Sequence, residues 1–330
     1  MGSKLLILQP SYYRSKASRD VFKVRRRNVV PLTLPYLAAL TPADWEVTLA
    51  DEQVEAVPFN DRFDLVAIST STLNSYRAYD IADEFRRRGR PVIMGGPHTF
   101  FHAEEAGEHC HAVGVGEAES IWPRMVEDAR RGHLKKIYRA GVLPSLAGSP
   151  QPRYELMNLR HYGPFRTFTV VSSRGCPFRC EFCSERFLLG ETYRCRPVPE
   201  VIEEIECCRS RSIFFGDSNF GGKRNHAMEL MEAMIPLKVR WSALWPSYLC
   251  NDEPFMQLAR RSGLLHVNIG LESISADTLA SMNKRFNKAH QYAAMLAKLR
   301  RLGISYSLNF IFGWEGETES VFGATLAFLQ

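Results

Sequence analysis

CPFRCEFC, residues 176–183, gives the chain a CxxxCxxC motif made by Cys176, Cys180 and Cys183. A short run that predicts a strand, Phe168–Ser172, ends just before it, so the motif occupies a strand-to-helix loop. Three thiolates on one short loop can bind three corners of a cubane iron–sulfur cluster and leave the fourth iron without a protein ligand. A tetrahedral zinc site would need a fourth ligand. His226 or Cys195 could be proposed, but neither belongs to a second closely spaced ligand pair.

Downstream of the motif, strand-like runs alternate with amphipathic segments. Strands are predicted at Phe168–Ser172, Ile213–Gly216, Val239–Leu244, His266–Gly270 and Tyr306–Phe312. Helices are predicted at Pro199–Arg209, Ala227–Ile235, Phe255–Ser262, Ala289–Leu302 and Thr318–Gln330. Right-handed crossovers would wind this segment into a β/α barrel or part of one, with the cysteine motif at the carboxyl-terminal mouth where barrel active sites lie.

The first part of the chain has the same alternation. Strands are predicted at Lys4–Gln9, Glu46–Ala50, Leu65–Ser69, Pro91–Gly95 and Ala112–Val115, and helices at Leu34–Leu40, Ser75–Arg88, Phe101–Glu108 and Glu119–Arg131. Apolar strands separated by helices predict an α/β domain with a flavodoxin-like, doubly wound parallel sheet. The proline- and glycine-punctuated residues 133–166 are predicted to be a linker. The predicted domains are therefore 1–132 and 167–330.

Composition and charge restrict the class of protein. The chain is 45% hydrophobic and 24% charged, with a net charge of +6, which is typical of a globular protein. The arginine clusters at 25–27, 86–88 and 130–131 lack interleaved aromatic residues, so nucleic acid is not expected as a partner. No membrane span and no signal peptide are expected, and a cytoplasmic location is predicted. Eight cysteines, three of them clustered, favour one metal site over a disulfide framework.

The motif and the segments that follow it resemble radical S-adenosylmethionine (radical SAM) enzymes, over roughly residues 167–330. The resemblance implies that Cys176, Cys180 and Cys183 bind a [4Fe–4S] cluster whose open iron takes S-adenosylmethionine (SAM). It also implies SAM contacts at the ends of successive strands, from Phe182, Asp217, Glu272, Asn309 and Gly313. Asp217 stands in FGDSNF, where the family more often has Gly-Gly-Glu, and a helix N-cap is the alternative role for it. No residue is assigned to a chemical step.

The first domain resembles the cobalamin-binding domain that precedes many radical SAM cores. Strand-end residues carry this resemblance, and it implies that they contact cobalamin: Ser69, Thr70, Ser71, Gly95, Gly96, His98, Gly116 and Glu117. The family's Asp-x-His-x-x-Gly motif is matched by Asp51-Glu52-Gln53, with Gln53 in place of the cobalt-binding histidine. A lower histidine ligand to cobalt is therefore not expected, and His98 is expected to line a loop rather than to ligate.

Together the two resemblances imply a cobalamin-dependent radical SAM enzyme. The favoured activity is methyl transfer to an unactivated carbon through a 5′-deoxyadenosyl radical and methylcobalamin. A non-methylating enzyme of the same architecture, such as an oxidative cyclase or a rearranging enzyme, remains open. A cobalamin-binding sensor module is the alternative from another class, and the intact cysteine motif argues against it. A methylthiotransferase of tRNA would carry a second cysteine triplet in the first domain, which has only Cys110.

The resemblance also implies partners and a missing region. The expected partners are a small-molecule or lipid- or tetrapyrrole-like substrate and an external one-electron donor of flavodoxin or ferredoxin type. Radical SAM cores typically have six β/α units, and only five are legible here. The 330 residues are therefore expected to be part of a longer enzyme that stops after the fifth unit.

Overall fold

The first strand of the computed structural model, β1 (Ser3–Gln9), is buried on both faces. Leu5, Leu6, Ile7 and Leu8 have no exposed surface, although successive side chains of a strand point to opposite sides. This burial is expected of a central parallel strand with helices on both faces. The structure describes residues 2–15 and 17–330, which form two units, Met1–Arg166 and Thr167–Gln330.

The first unit is built on a parallel sheet with the order β3-β1-β4-β5-β6-β7. Its further strands are β3 (Trp45–Asp51), β4 (Leu65–Ser69), β5 (Val92–Gly95), β6 (Ala112–Val115) and β7 (Ile137–Arg139). Strand β2 (Arg27–Val30) also belongs to the first unit but is not a strand of this sheet. Its helices are α1 (Thr33–Leu40), α2 (Ser75–Arg87), α3 (Pro97–Phe101), α4 (Ala103–His109) and α5 (Trp122–Arg130). The five predicted strands take the order 2-1-3-4-5, which is that of flavodoxin-like sheets.

Helices cover both faces of this sheet. On one face α2 packs beside α4, and Ile81 and Phe85 join Leu6 and Leu8 in a single apolar core. On the other face α1 packs against β1 and beside α5, where Leu34 is completely buried. The sheet is therefore doubly wound, and its strand ends are free to hold loops.

Two predictions for the first unit are corrected by the structure. The predicted helix Phe101–Glu108 is two helices, α3 and α4, because the backbone at His102 leaves the helical region at φ −128 and ψ 47. The predicted linker 133–166 belongs to the first unit and supplies its sixth sheet strand, β7. The sequence of β7 does not predict a buried strand, because Tyr138 is only partly apolar and Arg139 is charged. This strand lies at the edge of the sheet.

The second unit contains a parallel sheet in which β8, β11, β12, β13 and β14 follow one another in chain order, the arrangement of a half-barrel. Its strands are β8 (Tyr162–Val170), β9 (Ser173–Arg174), β10 (Arg194–Cys195), β11 (Ser212–Phe215), β12 (Arg240–Trp245), β13 (Leu264–Glu272) and β14 (Ser305–Phe310). Its helices are α6 (Glu185–Leu188), α7 (Val198–Cys207), α8 (Arg224–Met234), α9 (Glu253–Arg261), α10 (Ala276–Ser281), α11 (Tyr292–Arg301) and α12 (Ser320–Leu329). The first residues of β8, up to Arg166, belong to the first unit.

Aromatic side chains fill the core of the second unit. The ring of Phe220 lies 4.9 Å from that of Trp241 and 5.1 Å from that of Phe215, and all three side chains are buried. This rigid packing lies beneath the strand ends that carry the predicted site. In the described part of the chain, no helix combines the length and the apolar character needed to cross a membrane.

Candidate active site

The three cysteines of the motif follow β8 in a loop that a short ribbon holds in place. Strands β9 and β10 pair antiparallel at the two ends of the loop. Gly175 lies between them at φ 87, and a Cβ atom there would collide with the carbonyl oxygen of Thr192. Glycine is therefore required immediately before Cys176, because its backbone is both left-handed and tightly packed.

One cavity of about 240 Å³ lies at the carboxyl ends of the half-barrel strands, and all three cysteines line it. Residues from the ends of the other strands and from the following loops complete the wall: Phe178, Phe182, Glu185, Ser218, Asn219, Leu244, Trp245, Pro246, Asn268, Gly270, Glu272, Lys284, Phe286 and Asn309. The carboxyl-terminal mouth is where the sequence predicted the site.

The surroundings of the thiols are partly apolar. Burial raises the pKa of Cys180 to about 11 and also raises the pKa of Cys176. Lys284 opposes this effect at both sulfurs, and the side-chain amide of Asn219 lies 3.7 Å from the Sγ of Cys176 as a hydrogen-bond donor. Metal clusters bind cysteine as the thiolate, which burial disfavours here. A bound cluster would therefore have to supply the stabilisation of the thiolate that water does not.

The donor set suits a cluster better than a single ion. Three soft sulfur ligands on one loop line a shared cavity, and the remaining cavity wall is aromatic, polar and charged. Over residues 2–15 and 17–330, no three His, Cys, Asp or Glu side chains approach closely enough to form a site for one metal ion. His226, proposed above as a fourth zinc ligand, instead contacts the carbonyl oxygen of Arg196 through Nε2 at 2.7 Å.

Glu272 ends β13 with an unusual backbone and a charged partner. Its φ is 65, a left-handed conformation that is uncommon for a residue with a side chain, and the register of β13 shifts here. Its carboxylate forms an ion pair with the Nζ of Lys284 at 2.6 Å, and both side chains are almost buried. Strained backbone of this kind concentrates at functional sites.

Phe182 and Asn309, which the resemblance assigned to SAM contacts, both line the cavity. The ring of Phe182 meets that of Trp314 edge to face at 6.3 Å. The amide of Asn309 donates to the Oδ1 of Asn268 at 2.8 Å. Gly313 has a positive φ of 81 but is not part of the cavity wall, and its N–H donates to Glu317.

Asp217 does not lie in this cavity. Its carboxylate is completely buried and accepts hydrogen bonds from the N–H of Ser172 at 2.7 Å and from the hydroxyls of Ser172 and Ser173 at 2.5 Å each. Burial raises its pKa, and these hydrogen bonds oppose the rise. Asp217 therefore fixes the start of the cysteine loop, and its predicted contact with SAM stays a prediction. The neighbouring residues Ser218 and Asn219 face the cavity instead.

Two polar wall residues near the cysteines, Asn219 and Lys284, were not predicted from the sequence. Asn219 lies in the FGDSNF run, in which the resemblance assigns Asp217 to SAM. Lys284 lies in MNKRFNK, residues 282–288, a basic loop after α10 that carries no recognised motif. A basic loop with an aromatic residue, after the helix that follows a strand-end glutamate, is a weak signal that could have identified Lys284.

The first unit has a cavity of about 140 Å³ at the carboxyl ends of β4, β5 and β6. Ser69, Gly95, Gly96 and Gly116, four of the predicted cobalamin contacts, line it. The rest of the wall is mostly apolar and comes from the sheet, α1, the residues just before α5 and α5 itself: Thr33, Leu37, Ala67, Ile68, Ile93, Met94, Gly114, Ala118, Ile121, Trp122 and Met125. Strand ends of an open sheet are the usual place for a ligand.

Gly96 allows two loops to meet at this cavity. Its φ is 110, and a Cβ atom would stand 2.5 Å from the carbonyl oxygen of Thr70. The loops after β4 and β5 are therefore in backbone contact, and this part of the cavity wall has no side chain at Gly96. A flat ligand could approach the backbone there.

The other four predicted cobalamin contacts lie outside this cavity wall. Thr70 and Ser71 hydrogen bond to the Oδ1 of Asn74. His98 is buried, with Nε2 at 2.7 Å from the hydroxyl of Tyr79 and Nδ1 at 3.2 Å from that of Thr72. Glu117 is also buried. His98 is thus held by two hydroxyl groups, and its contact with cobalamin stays a prediction.

The loop after β3, which contains Asp51, Glu52 and Gln53, is closed by ion pairs. Asp51 binds Arg27 at 2.6 Å, and Glu52 binds Arg77 at 2.5 Å. Both carboxylates are almost completely buried. Gln53 follows them and donates its N–H to Asp51 at 3.1 Å. This loop is therefore organised by charge pairs.

Comparisons with known proteins identify the family of the chain. A family model described as the radical SAM superfamily matches residues 170–329. The chain is 32% identical to bacteriochlorophyllide d C-12(1)-methyltransferase of Chlorobaculum tepidum, over 91% of this chain and 68% of that protein. It is 24% identical to the hopanoid C-2 methylase of Rhodopseudomonas palustris, over 91% of this chain and 59% of that protein.

Two solved structures share the fold. The radical SAM methyltransferase TsrM from Kitasatospora setae, with cobalamin and a [4Fe–4S] cluster bound, has a TM-score of 0.75 at 18% identity. That match covers 100% of this chain and 73% of the TsrM chain. The cobalamin-dependent radical SAM enzyme OxsB has a TM-score of 0.72 at 16% identity, over 99% of this chain and 52% of the OxsB chain. The family match and the methyltransferase relative together show that the chain belongs to the radical SAM superfamily of enzymes.

Proposed function

We propose that the chain is a cobalamin-dependent radical SAM methyltransferase that acts on an unactivated carbon. The observation that carries the proposal is the single cavity lined by Cys176, Cys180 and Cys183 together with polar residues from the later strand ends. When bound, a [4Fe–4S] cluster would supply the electron that cleaves SAM, and cobalamin would carry the methyl group. The protein holds these groups, orients SAM and excludes water.

The cavity residues have distinct tasks in this proposal. The three cysteines hold the cluster and leave one iron for the amino and carboxylate groups of SAM. Phe182 offers an aromatic face to the adenine. Glu272 and Asn309 present oxygen and nitrogen atoms that can hydrogen bond to the ribose and the amino acid.

The first unit would bind cobalamin at the 140 Å³ cavity. Glycine backbone at Gly95, Gly96 and Gly116 and apolar side chains such as Trp122 suit the flat, largely apolar base of the cobalamin tail. Neither ring nitrogen of His98 is free, and Gln53 stands in place of the usual histidine. Cobalt would therefore have no histidine ligand from these two positions.

Relatives indicate the substrate class. The names of two similar proteins concern bacteriochlorophyllides and hopanoids, so a polycyclic tetrapyrrole or a terpenoid lipid is the proposed substrate. A relative 24% identical is an anaerobic magnesium-protoporphyrin IX monomethyl ester cyclase of Cereibacter sphaeroides, which keeps oxidative cyclisation as the second candidate. An external flavodoxin- or ferredoxin-type donor and a cytoplasmic location complete the proposal.

Cysteine substitution tests the cluster. We expect the protein reconstituted anaerobically with iron, sulfide and hydroxocobalamin to bind a cluster and to form 5′-deoxyadenosine from SAM. Cys176→Ala, Cys180→Ala and Cys183→Ala should each abolish 5′-deoxyadenosine formation. Cys195→Ala is the matched control, because Cys195 is also half-buried in the second unit but is not part of the cavity wall. Loss of iron from Cys195→Ala would contradict the assignment.

Product analysis separates the two reactions. The reconstituted protein is incubated with SAM that carries a labelled methyl group and with bacteriochlorophyllide or hopanoid extracts, followed by mass spectrometry. Incorporation of the labelled methyl group into an extract component supports methyl transfer. A product that has lost hydrogen and gained a ring without the label would favour the cyclase.

A further inference from the structure

The loop 282–287, which joins α10 to the segment before α11, is bonded to the cysteine loop. The carbonyl oxygen of Met282 accepts the N–H of Glu181 at 3.0 Å. The side-chain amide of Asn283 donates to the carbonyl oxygen of Arg179 at 2.9 Å. Residues 282–287 and the cysteine motif are therefore held in a fixed relation.

The same loop is bonded to the end of β13. The buried amide of Asn287 donates to the carbonyl oxygens of Gly270 and Leu271 at 2.9 and 3.0 Å, and its Oδ1 accepts the hydroxyl of Ser247 at 2.5 Å. Lys284 lies between these two sets of bonds, and its backbone N–H donates to the carbonyl oxygen of Leu279 at 2.8 Å. These bonds fix the backbone position of Lys284, from which its side chain extends.

Lys284 extends into the cysteine-lined cavity. Its Nζ lies 5.4 Å from the ring centre of Phe182 and 5.6 Å from that of Phe286, in addition to the ion pair with Glu272. The lysine side chain is 11% exposed and that of Glu272 is 9% exposed. A charge in such surroundings acts on its neighbours more strongly than one in water.

The ammonium is the end of the ion pair that lies towards the cysteine loop. The Nζ of Lys284 lies against the ring of Phe182, which directly precedes Cys183, whereas Glu272 is the last residue of β13. Lys284 and the three cysteines also line the same cavity.

We propose that Lys284 sets the reduction potential of the cluster held by Cys176, Cys180 and Cys183, by stabilising its reduced form. The inference rests on the proposed function, since it requires that cluster. Reduction adds one electron from the external donor to the cluster and forms or breaks no bond. The added negative charge is favoured by a fixed, nearly buried cation, so Lys284 makes the cluster easier to reduce.

The double variant Lys284→Gln, Glu272→Gln tests this without leaving one charge buried and unpaired. Its cluster potential is measured without SAM, by anaerobic redox titration followed by electron paramagnetic resonance of the reduced cluster. We expect the ratio of reduced to oxidised cluster at a fixed potential to fall about tenfold, which corresponds to about 59 mV for one electron. Lys284→Arg should keep the wild-type potential, because it keeps the charge.

Arg285→Gln is the matched control. It removes the same charge from the next residue, whose side chain is exposed and therefore screened by water and salt. Its potential should equal that of the wild type. If the double variant does not assemble the cluster, the double variant Lys284→Met, Glu272→Gln is titrated in its place, with the same expected direction.

Two results would contradict different claims. A double variant with full iron content and the wild-type potential overturns the role of Lys284, even if its affinity for SAM falls. Failure of the wild-type protein to bind a cluster at all would instead defeat the proposed function.

Discussion

At the scale of single residues, two carboxylates at the ends of strands in the same sheet have opposite surroundings. Asp217 is enclosed by donors from Ser172 and Ser173, and Glu272 pairs with Lys284 at a cavity wall. A sequence shows an acidic residue after each strand but not which neighbours surround it. The same composition therefore gives a structural residue in one case and a candidate ligand-binding residue in the other.

Asp217→Asn should destabilise the second unit without abolishing SAM binding. The amide nitrogen of asparagine would face hydroxyl groups that now donate, so at least one buried hydrogen bond would be lost at a cost of about 1–3 kcal/mol. Urea unfolding of the protein without cofactors measures the effect. Asp277→Asn, an exposed aspartate in the same unit, should have little effect. Normal stability combined with lost SAM binding would restore the role that the sequence predicted.

His98 should make the first unit less stable in acid. Burial lowers the pKa of His98, and His102 lowers it further. Below the ordinary value of about 6.5 the unfolded chain binds a proton that the folded chain does not, so stability falls as the pH drops, by at most about 1.4 kcal/mol per pH unit. His98→Gln should weaken this pH dependence, as measured by urea unfolding at a series of pH values. An unchanged slope would show that His98 is not the group responsible.

At the scale of elements, most strands of the two sheets were predictable because they are apolar and separated by helices. Predicted Leu65–Ser69 coincides with β4, and predicted Lys4–Gln9 differs from β1 by one residue. The ribbon of β9 and β10 was not predicted, because each strand has two residues and no alternating pattern. β7 and the break between α3 and α4 were missed because edge position and local backbone geometry leave no periodic signal.

Asn287→Ala should loosen the end of β13. The substitution removes two hydrogen bonds to the carbonyl oxygens of Gly270 and Leu271 and one from Ser247, and leaves these groups buried. We expect a loss of about 2–4 kcal/mol in the free energy of unfolding of the second unit, together with weaker SAM binding. Unfolding curves and SAM titration provide the two readouts. Lys288→Ala changes an exposed neighbour and should alter neither.

At the scale of the whole molecule, the sequence identified the family and the place of the cysteine loop. It could not identify Asn219 or Lys284, because their importance depends on contacts between segments distant in the chain. It also could not show that His98 is enclosed by Tyr79 and Thr72. A motif consists of residues that are close together in the sequence. The composition of a cavity wall depends instead on how loops from several strands meet in the fold.

The two cavities belong to different units, and the proposal assigns one cofactor to each. Triple substitution of Cys176, Cys180 and Cys183 by Ala should therefore abolish iron binding and leave cobalamin binding unchanged. Gly95→Leu should do the reverse, because a Cβ there has room, 3.9 Å from the nearest atom, while the larger side chain would fill the first cavity. Iron content and the cobalamin spectrum of each purified variant measure the outcome.

Gly141→Leu is the control for the first unit, since no atom lies within 4 Å of its added Cβ and it is not part of the cavity wall. It should bind both cofactors. Gly95→Leu should still form 5′-deoxyadenosine from SAM, because the cysteine loop and its cavity are unchanged, but should transfer no methyl group. If Gly95→Leu keeps full cobalamin content, the ligand does not occupy the cavity at the ends of β4, β5 and β6, and the assignment of that cavity would have to be abandoned.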